Sequence, residues 1–273
     1  MVIVNLTTTS ERLELCSATV WSLIHQSCLP DKIFLWISRD AYMADKGIFA
    51  IPSWVDEINS LYDILNIKYT DNTGPYRKIF PMLKEASDKD VLVYADDDVI
   101  YSSNWLELLL TSFYASEEKY AVASRIRLMN RNLFGYYQSY NRYPLANICS
   151  VYSDDFIITG VGGCVIKKKM INDKFINDIS YLEVAPKTDD LWISKILRLS
   201  GTAVKSCPQA LCCVQEIQHS SYSLNHENTS KFSGGIFLRL MYKLKLAVFG
   251  YVGISLSNND KTQKNIDRYF KIY

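Results

Sequence analysis

Short apolar runs alternate with amphipathic stretches of helical length over the first half of the chain. The apolar runs predict strands at residues 2–6, 32–38, 67–70 and 91–95. Apolar residues at helical spacing predict helices at 11–24, 54–65, 78–87 and 105–114. This alternation is typical of βαβ units, in which helices cover parallel strands. The pattern therefore predicts an α/β fold with a mostly parallel central sheet flanked by helices.

The second half of the chain has a less regular pattern. It predicts strands at 120–125, 156–159 and 164–166, a loop rich in Tyr and Asn at 130–155, and a helix at 189–200. Gly201 follows that helix, as expected for a helix C-cap. No repeat, low-complexity tract or Gly/Ser linker precedes residue 230. We therefore expect one domain over 1–230 and a tail over 231–273.

Composition and charge narrow the function class. The chain has 273 residues, 48% of them hydrophobic, with 30 Lys and Arg against 29 Asp and Glu. A net charge of +1 argues against a nucleic-acid binder that works through bulk charge. Met1 runs directly into Val2-Ile3-Val4, without the features of a signal peptide. The expected location is the cytoplasm.

The cysteines favour reduced thiols over a disulfide framework. There are seven, an odd number, and they are scattered through apolar segments. Cys207, Cys212 and Cys213 are close enough in sequence to raise the question of a zinc site. The chain has no CxxC motif and no His at zinc-finger spacing, which argues against one.

Three adjacent carboxylates, Asp96, Asp97 and Asp98, follow the strand at 91–95 and precede a helix. Ligands bind at this position in open α/β sheets. Like carboxylates at close range repel each other and raise each other's pKa, and a divalent cation relieves that cost. Hard oxygen ligands suit Mg²⁺ or Mn²⁺. A solvated Asp-rich turn is the structural alternative.

Six segments of the chain resemble a known family. The run VLVYADDDVIYSSNWLELL resembles the DxD region of glycosyltransferases with the GT-A fold. VNLTTTSERL and SLIHQSCLPDKIFLWIS resemble the opening of the family-2-like sugar transferases, as found in bacterial polysaccharide synthesis. DNTGPYRKIFPMLKEA, FIITGVGGCVIKK and KTDDLWISKILRLSG are similar to later blocks, in the same order. The resemblance covers roughly residues 1–220 and implies a single GT-A domain, with a nucleotide-sugar half at 1–125 and an acceptor half at 126–230.

The resemblance implies a role for each matching residue. Metal ligands, for Mn²⁺ or Mg²⁺, are Asp98, Asp96 and, further along the chain, His219. Donor-binding residues are Thr7, Arg12, Lys78, Asp96 and Asp97. Residues beside the sugar and acceptor are Gly162, Gly163 and Trp192. Catalytic residues are Asp189 and Asp190, with Asp190 as the general base that deprotonates the acceptor hydroxyl.

Each assignment has a structural alternative. Thr7 could serve a capping turn, and Arg12 and Lys78 could form surface salt bridges. The acidic pair at 189–190 could simply favour a helix N-terminus. Trp192 could be a buried helix residue, the glycines could make a tight turn at a sheet edge, and His219 could be a satisfied structural residue.

The carboxyl-terminal region is apolar and basic. Residues 236–256 carry Arg239, Lys243 and Lys245 among apolar residues at helical spacing, which predicts a basic amphipathic helix. Charges near its middle argue against a membrane-spanning helix. Two alternatives stay open: an interfacial helix on an anionic membrane, or a helix packed on the domain.

The resemblance implies an inverting, metal-dependent hexosyltransferase that moves a sugar from a nucleotide-diphospho sugar, such as a UDP-sugar, to a glycan acceptor. A lipid-linked acceptor would suit an enzyme peripheral to the cytoplasmic face of the membrane. A haloacid-dehalogenase-type phosphatase also uses a DxD after a strand, but that strand normally opens its fold. A sugar nucleotidyltransferase would need a Gly-rich phosphate loop after the first strand. A metal-dependent carbohydrate-binding protein without activity is the third alternative.

Overall fold

The computed structural model describes residues 1–217 and 247–272. The strands are β1 (Val2–Thr7), β2 (Lys32–Ile37), β3 (Leu65–Tyr69), β4 (Val91–Tyr94), β5 (Val99–Tyr101), β6 (Ala121–Ala123), β7 (Ile126–Leu128), β8 (Val151–Tyr152), β9 (Phe156–Ile158), β10 (Cys164–Ile166), β11 (Val204–Ser206) and β12 (Val214–Glu216). The helices are α1 (Leu13–Ile24), α2 (Trp54–Leu61), α3 (Phe80–Glu85), α4 (Trp105–Tyr114), α5 (Asp173–Ile176), α6 (Tyr181–Val184), α7 (Asp189–Leu199), α8 (Pro208–Leu211) and α9 (Asn258–Ile272).

Eight strands form the central sheet in the order β3-β2-β1-β4-β10-β6-β11-β8. Parallel pairs join β1 to β2 and β4, β2 to β3, and β6 to β11. Only β10 and β8 run against their neighbours in this sheet. Two small sheets pair β5 with β12 and β7 with β9. The predicted α/β fold with a mostly parallel sheet is confirmed.

The central strands are apolar because both faces of the sheet are covered. Every residue of β4 is buried, and four of the six residues of β1 are. Strands covered by helices on both faces read as continuous apolar runs rather than as alternating ones. In the register of β1, Asn5 lies opposite Phe34 and Tyr94. The carboxyl ends of β1, β2 and β4 therefore meet at one edge of the sheet.

Two element boundaries differ from the prediction for local reasons. Ser10 does not cap α1, which begins at Leu13, because the Ser10 hydroxyl oxygen accepts the Lys46 N–H at 3.0 Å instead. The helix predicted at 78–87 is divided into a 3₁₀ helix at Gly74–Lys78 and the α-helix α3. Each of these two helices has a proline as its second residue, and proline is favoured in the first turn of a helix.

The helical C-terminal tail is confirmed by α9 (Asn258–Ile272), whereas most of the helix predicted at 236–256 lies outside the described residues; of its described part, 247–248 are helical. Residues 236–246 lie outside the described residues, and 249–253 form turns. The helix α9 packs on α7, where Asp267 pairs with Lys195 at 2.7 Å. Asp260 near its start accepts hydrogen bonds from the Ser139 hydroxyl and from the Tyr140 N–H, which ties α9 to a distant loop. No helix in 1–217 or 247–272 combines the length and apolarity needed to cross a membrane.

The seven cysteines are all free thiols. Five of them are buried or partly buried, as expected for structural thiols. Cys149 and Cys212 are exposed instead, so the expectation of burial is wrong for these two.

Candidate active site

One cavity of about 780 Å³ opens at the carboxyl ends of β1 and β4. The N-terminus of α7 and the loop after β9 form its opposite wall. The cavity is lined by eight of the residues singled out in the sequence, which are Thr7, Arg12, Lys78, Asp96, Asp97, Asp98, Asp189 and Asp190. The structure therefore brings the two acidic clusters, far apart in sequence, to one place.

The first acidic cluster is held by Arg12 at the start of α1. The Arg12 guanidinium lies 2.8 Å from Asp97 Oδ1 and 3.2 Å from Asp98 Oδ2. Asp97 is almost fully buried, and this burial raises its pKa to about 6, with Arg12 opposing the shift. Asp98 and Asp96 keep about a quarter of their side-chain surface open to the cavity. The three neighbours therefore differ: Asp97 anchors Arg12, while Asp96 and Asp98 face the cavity.

Lys78 joins the two acidic clusters. Its Nζ lies 2.8 Å from Asp96 Oδ1 and 2.8 Å from Asp189 Oδ2, and the side chain is only 7% exposed. Burial alone would lower the pKa of Lys78, but Asp189 and Asp96 outweigh it and hold that pKa well above its usual value. Lys78 is therefore a permanent cation between a strand end and a helix start, and not the surface salt bridge that the sequence left open.

Asp190 has different partners from its neighbour Asp189. Its Oδ1 accepts the backbone N–H of Gly160 at 2.9 Å, and it forms no ion pair among the described residues. Burial, reinforced by the negative charge of Asp189, raises the pKa of Asp190 to about 8, with Lys78 opposing the shift. A carboxylate with a raised pKa and an open oxygen has the properties of a general base.

Thr7, the last residue of β1, lines the cavity. Its hydroxyl donates to the carbonyl oxygen of Trp36 at 2.7 Å, so it fastens β1 to β2. Gly160 lies directly beside the ion pair between Lys78 and Asp96. A Cβ at Gly160 would come within 2.4 Å of Lys78 Nζ, so any larger residue would displace this pair.

Three predicted sugar or acceptor residues, Trp192, Gly162 and Gly163, are not among the residues that line the cavity. Trp192 is completely buried, with its ring 5.0 Å from that of Phe270 on α9, so it has no face to offer a sugar. Gly162 and Gly163 serve packing instead. A Cβ at Gly162 would lie 2.2 Å from Ser124 Oγ, and one at Gly163, whose φ is +79°, would lie 2.2 Å from the Trp105 ring.

The metal assignment stays a prediction. His219 lies outside the described residues, and within 1–217 and 247–272 no group of three or more His, Cys, Asp or Glu side chains is arranged to hold a metal. Asp96 and Asp98 nevertheless present carboxylate oxygens to the cavity. Mg²⁺ is often held by one or two carboxylates together with substrate phosphates, so the donor chemistry fits Mg²⁺ or Mn²⁺.

Sequence reasoning missed two sets of residues in the cavity wall. Asp45 and Arg77 form a buried ion pair at 2.9 Å beside Thr8. Arg125 and Arg127 line the wall on the side of Asp190, together with Tyr140. The spacing of Arg125-Ile126-Arg127 could have indicated two arginines on one face of a strand. Asp45 gave no signal, because it lies in an irregular stretch after β2.

Comparison with known proteins finds distant similarities to solved structures. No family model matches the chain, and no curated protein does. The structure is similar to that of the 4-diphosphocytidyl-2C-methyl-D-erythritol synthase from Anaerococcus prevotii, with 14% identity, a TM-score of 0.39, and coverage of 66% of this chain and 76% of that one. It is also similar to S. aureus TarS 1-349, with 14% identity, a TM-score of 0.47, and coverage of 75% of this chain but 57% of that one.

Proposed function

We propose that this chain is an inverting, metal-dependent glycosyltransferase that moves a sugar from a nucleotide-diphospho sugar, such as a UDP-sugar, to a glycan hydroxyl. The observation that carries the proposal is the shared cavity, in which two acidic clusters lie on either side of Lys78. One cluster faces the cavity with partly exposed carboxylates, and the other contains a carboxylate with a raised pKa. A volume of about 780 Å³ falls within the usual range for small-molecule sites.

The donor is assigned to the side of Asp96 and Asp98. These two carboxylates would hold Mn²⁺ or Mg²⁺, and the bound cation would offset the charge that develops on the diphosphate leaving group. Thr7 and Arg12 border the same side of the cavity. Lys78 supplies a buried positive charge there, which favours a phosphate group.

Asp190 is assigned as the base. The N–H of Gly160 fixes one carboxylate oxygen, and the other accepts no hydrogen bond from the described residues. That oxygen takes the proton of the acceptor hydroxyl. The acceptor oxygen attacks the anomeric carbon from the face opposite the diphosphate, and the bond from that carbon to the diphosphate oxygen breaks. The raised pKa of Asp190 makes it a stronger base than an ordinary carboxylate.

The acceptor is assigned to the wall formed by Arg125, Arg127 and Tyr140. The strand β7 pairs with β9, so that the Thr159 N–H donates to Arg125 O at 3.0 Å. The next residue, Gly160, donates to Asp190. This wall therefore borders the base directly. We propose a glycan acceptor carried on a lipid, in polysaccharide synthesis at the cytoplasmic face of the membrane.

The test is nucleotide release from a panel of nucleotide sugars with Mn²⁺ and glycan acceptors. Asp98→Ala and Asp190→Asn should each lower turnover about 10²–10⁴-fold, since each removes a charge that acts in the reaction. Asp88→Ala is the matched control, because Asp88 is exposed and outside the cavity. If both cavity variants keep wild-type turnover, the site assignment is wrong. Hydrolysis of a phosphate ester without binding of any sugar nucleotide would favour the phosphatase alternative.

A further inference from the structure

The molecule exposes an unusual group of apolar side chains away from the cavity. Leu133 is 93% exposed, Phe134 73% and Tyr136 68%, all in the loop between β7 and β8. Four more apolar residues, each about half exposed, precede α9. The complete group, here called the apolar ridge, is Leu133, Phe134, Tyr136, Val248, Phe249, Val252 and Ile254. Soluble proteins seldom expose apolar residues in such a contiguous set without a partner.

The two segments of the apolar ridge are fixed to each other. The side chain of Asn132 donates to Tyr251 O at 3.1 Å, and the Leu133 N–H donates to the Tyr251 hydroxyl at 3.2 Å. The Ser139 N–H donates to Gly250 O at 2.8 Å. These contacts join residues more than a hundred positions apart, so the exposed side chains form one surface rather than two separate loops.

Cations surround the apolar ridge. Arg131 is half exposed and stacks on the Tyr137 ring, with its Cζ 3.9 Å from the ring centre, and it pairs with Asp155 at 3.5 Å. Arg142 lies 5.8 Å from the Tyr251 ring. Lys264 is exposed and donates to Gly253 O at 3.0 Å. The chain next to the ridge is also basic. Residues 231–259 contain four Lys or Arg and no Asp or Glu.

We infer that the apolar ridge is a docking surface for an anionic phospholipid bilayer. Apolar side chains at a loop tip can enter the boundary of the acyl region, and surrounding Arg and Lys side chains then lie at the level of the anionic headgroups. The positive charge favours this occupant over a second copy of the chain, whose ridge would carry the same cations. The inference adds the loop of Leu133 and Phe134 to the basic tail expected from sequence, and it does not depend on the transferase proposal.

The test is co-sedimentation of the full chain with vesicles. One set contains phosphatidylglycerol and phosphatidylcholine, and the other contains phosphatidylcholine alone. We expect binding to the anionic set, weakened by salt because the headgroup attraction is screened. Leu133→Ser/Phe134→Ser should weaken binding about tenfold or more, since two apolar side chains no longer enter the bilayer. The matched control is Phe49→Ser/Ile51→Ser, because Phe49 is 73% exposed and Ile51 51% but both lie outside the ridge.

Three results would overturn the inference. The first is equal binding of the wild type to both vesicle sets, or to neither. The second is a Leu133/Phe134 variant that binds as the wild type does while keeping its melting temperature. The third is a dimer in light scattering that the same variant disperses, which would assign the ridge to a second copy. If that variant lost its fold, Arg131→Gln/Lys264→Gln would test the charged rim, and unchanged binding to anionic vesicles would again overturn the inference.

Discussion

Replacing Asp190 with Asn should stabilise the protein at high pH while abolishing its proposed catalytic step. The native pKa of Asp190 is raised to about 8 from an ordinary value of 3.8, because burial and Asp189 disfavour the charged form. The folded protein therefore binds a proton that the unfolded chain releases between these two values. The contribution of Asp190 to stability is complete below its pKa in the unfolded chain. This contribution is lost as the pH rises through its pKa in the folded protein.

The size of the expected stabilisation follows from the difference between the pKa of Asp190 in the folded protein and its pKa in the unfolded chain. Each pKa unit corresponds to about 1.4 kcal/mol. Asp190 keeps some contact with solvent in the cavity, so we count one unit as a lower bound, about 1.4 kcal/mol, or about 2–4 °C in melting temperature for a protein of this size. Asn can keep the hydrogen bond from the Gly160 N–H through its amide oxygen, so the substitution removes the charge but not this contact.

Melting temperatures of wild type and Asp190→Asn at about pH 4.5 and about pH 8.5 test the argument. The variant should gain more stability relative to wild type at the higher pH than at the lower one. Asp189→Asn is the matched control with the opposite expectation, because Asp189 is a buried partner of Lys78 at 2.8 Å and its loss should lower the melting temperature at both pH values. A difference for Asp190→Asn that is equal at the two pH values, or negative at the higher one, would refute the reasoning.

Three further predictions concern the proposed base, a closely packed glycine and a buried carboxylate. The kcat/KM of the transferase should rise about tenfold per pH unit and level off near pH 8, as Asp190 loses its proton; a flat pH profile would argue against this base. Gly163→Ala should lower the free energy of unfolding, measured with urea, by about 2–4 kcal/mol, because it adds backbone strain and overpacking. Gly135→Ala should lower it by only about 1 kcal/mol, because Gly135 has φ +82° but nothing within 4 Å of an added Cβ. Equal losses would contradict the packing argument. Asp260→Ala should lower the free energy of unfolding by at least about 2 kcal/mol, because the Tyr140 N–H and several other donors lose a buried acceptor; an unchanged urea midpoint would contradict this.

The sequence predicted the first half of the chain better than the second, because the elements of the first half have clear local patterns of apolar residues. The strands β1, β2 and β4 are continuous apolar runs, since helices cover both faces, and each is followed by a recognisable helix. In the second half, β6, β10 and β11 are three residues long. Runs this short carry little periodicity, and their pairing depends on partners distant in the chain.

The burial of Trp192 has a physical origin that the sequence did not indicate, which is the position of α9. The sequence pattern of α7 does not indicate which element covers each face of this helix. From the sequence alone, Trp192 could therefore face either a sugar or the protein interior. The helix α9 covers Trp192 with Tyr269 and Phe270. The sequence of α9 (NNDKTQKNIDRYFKI) is mostly polar. Its apolar residues Ile266, Tyr269 and Phe270 lie at helical spacing, but that spacing does not indicate which helix they cover. The acidic clusters were predictable because each lies at the end of a local element.

The carboxylates on the proposed donor side of the cavity give a second reason to expect a divalent cation with the donor. Five carboxylates, Asp96, Asp97, Asp98, Asp189 and Asp190, line the cavity, and among the described residues only Arg12 and Lys78 form ion pairs with them. The partly exposed Asp96 and Asp98 lie on the proposed donor side, and a diphosphate there would add further negative charge. Binding of UDP should therefore tighten at least about tenfold, or about 1.4 kcal/mol, when Mn²⁺ is present in isothermal titration. Asp98→Asn should reduce that gain, while an equal affinity with and without Mn²⁺ in the wild type would show that these side chains accommodate the diphosphate by themselves.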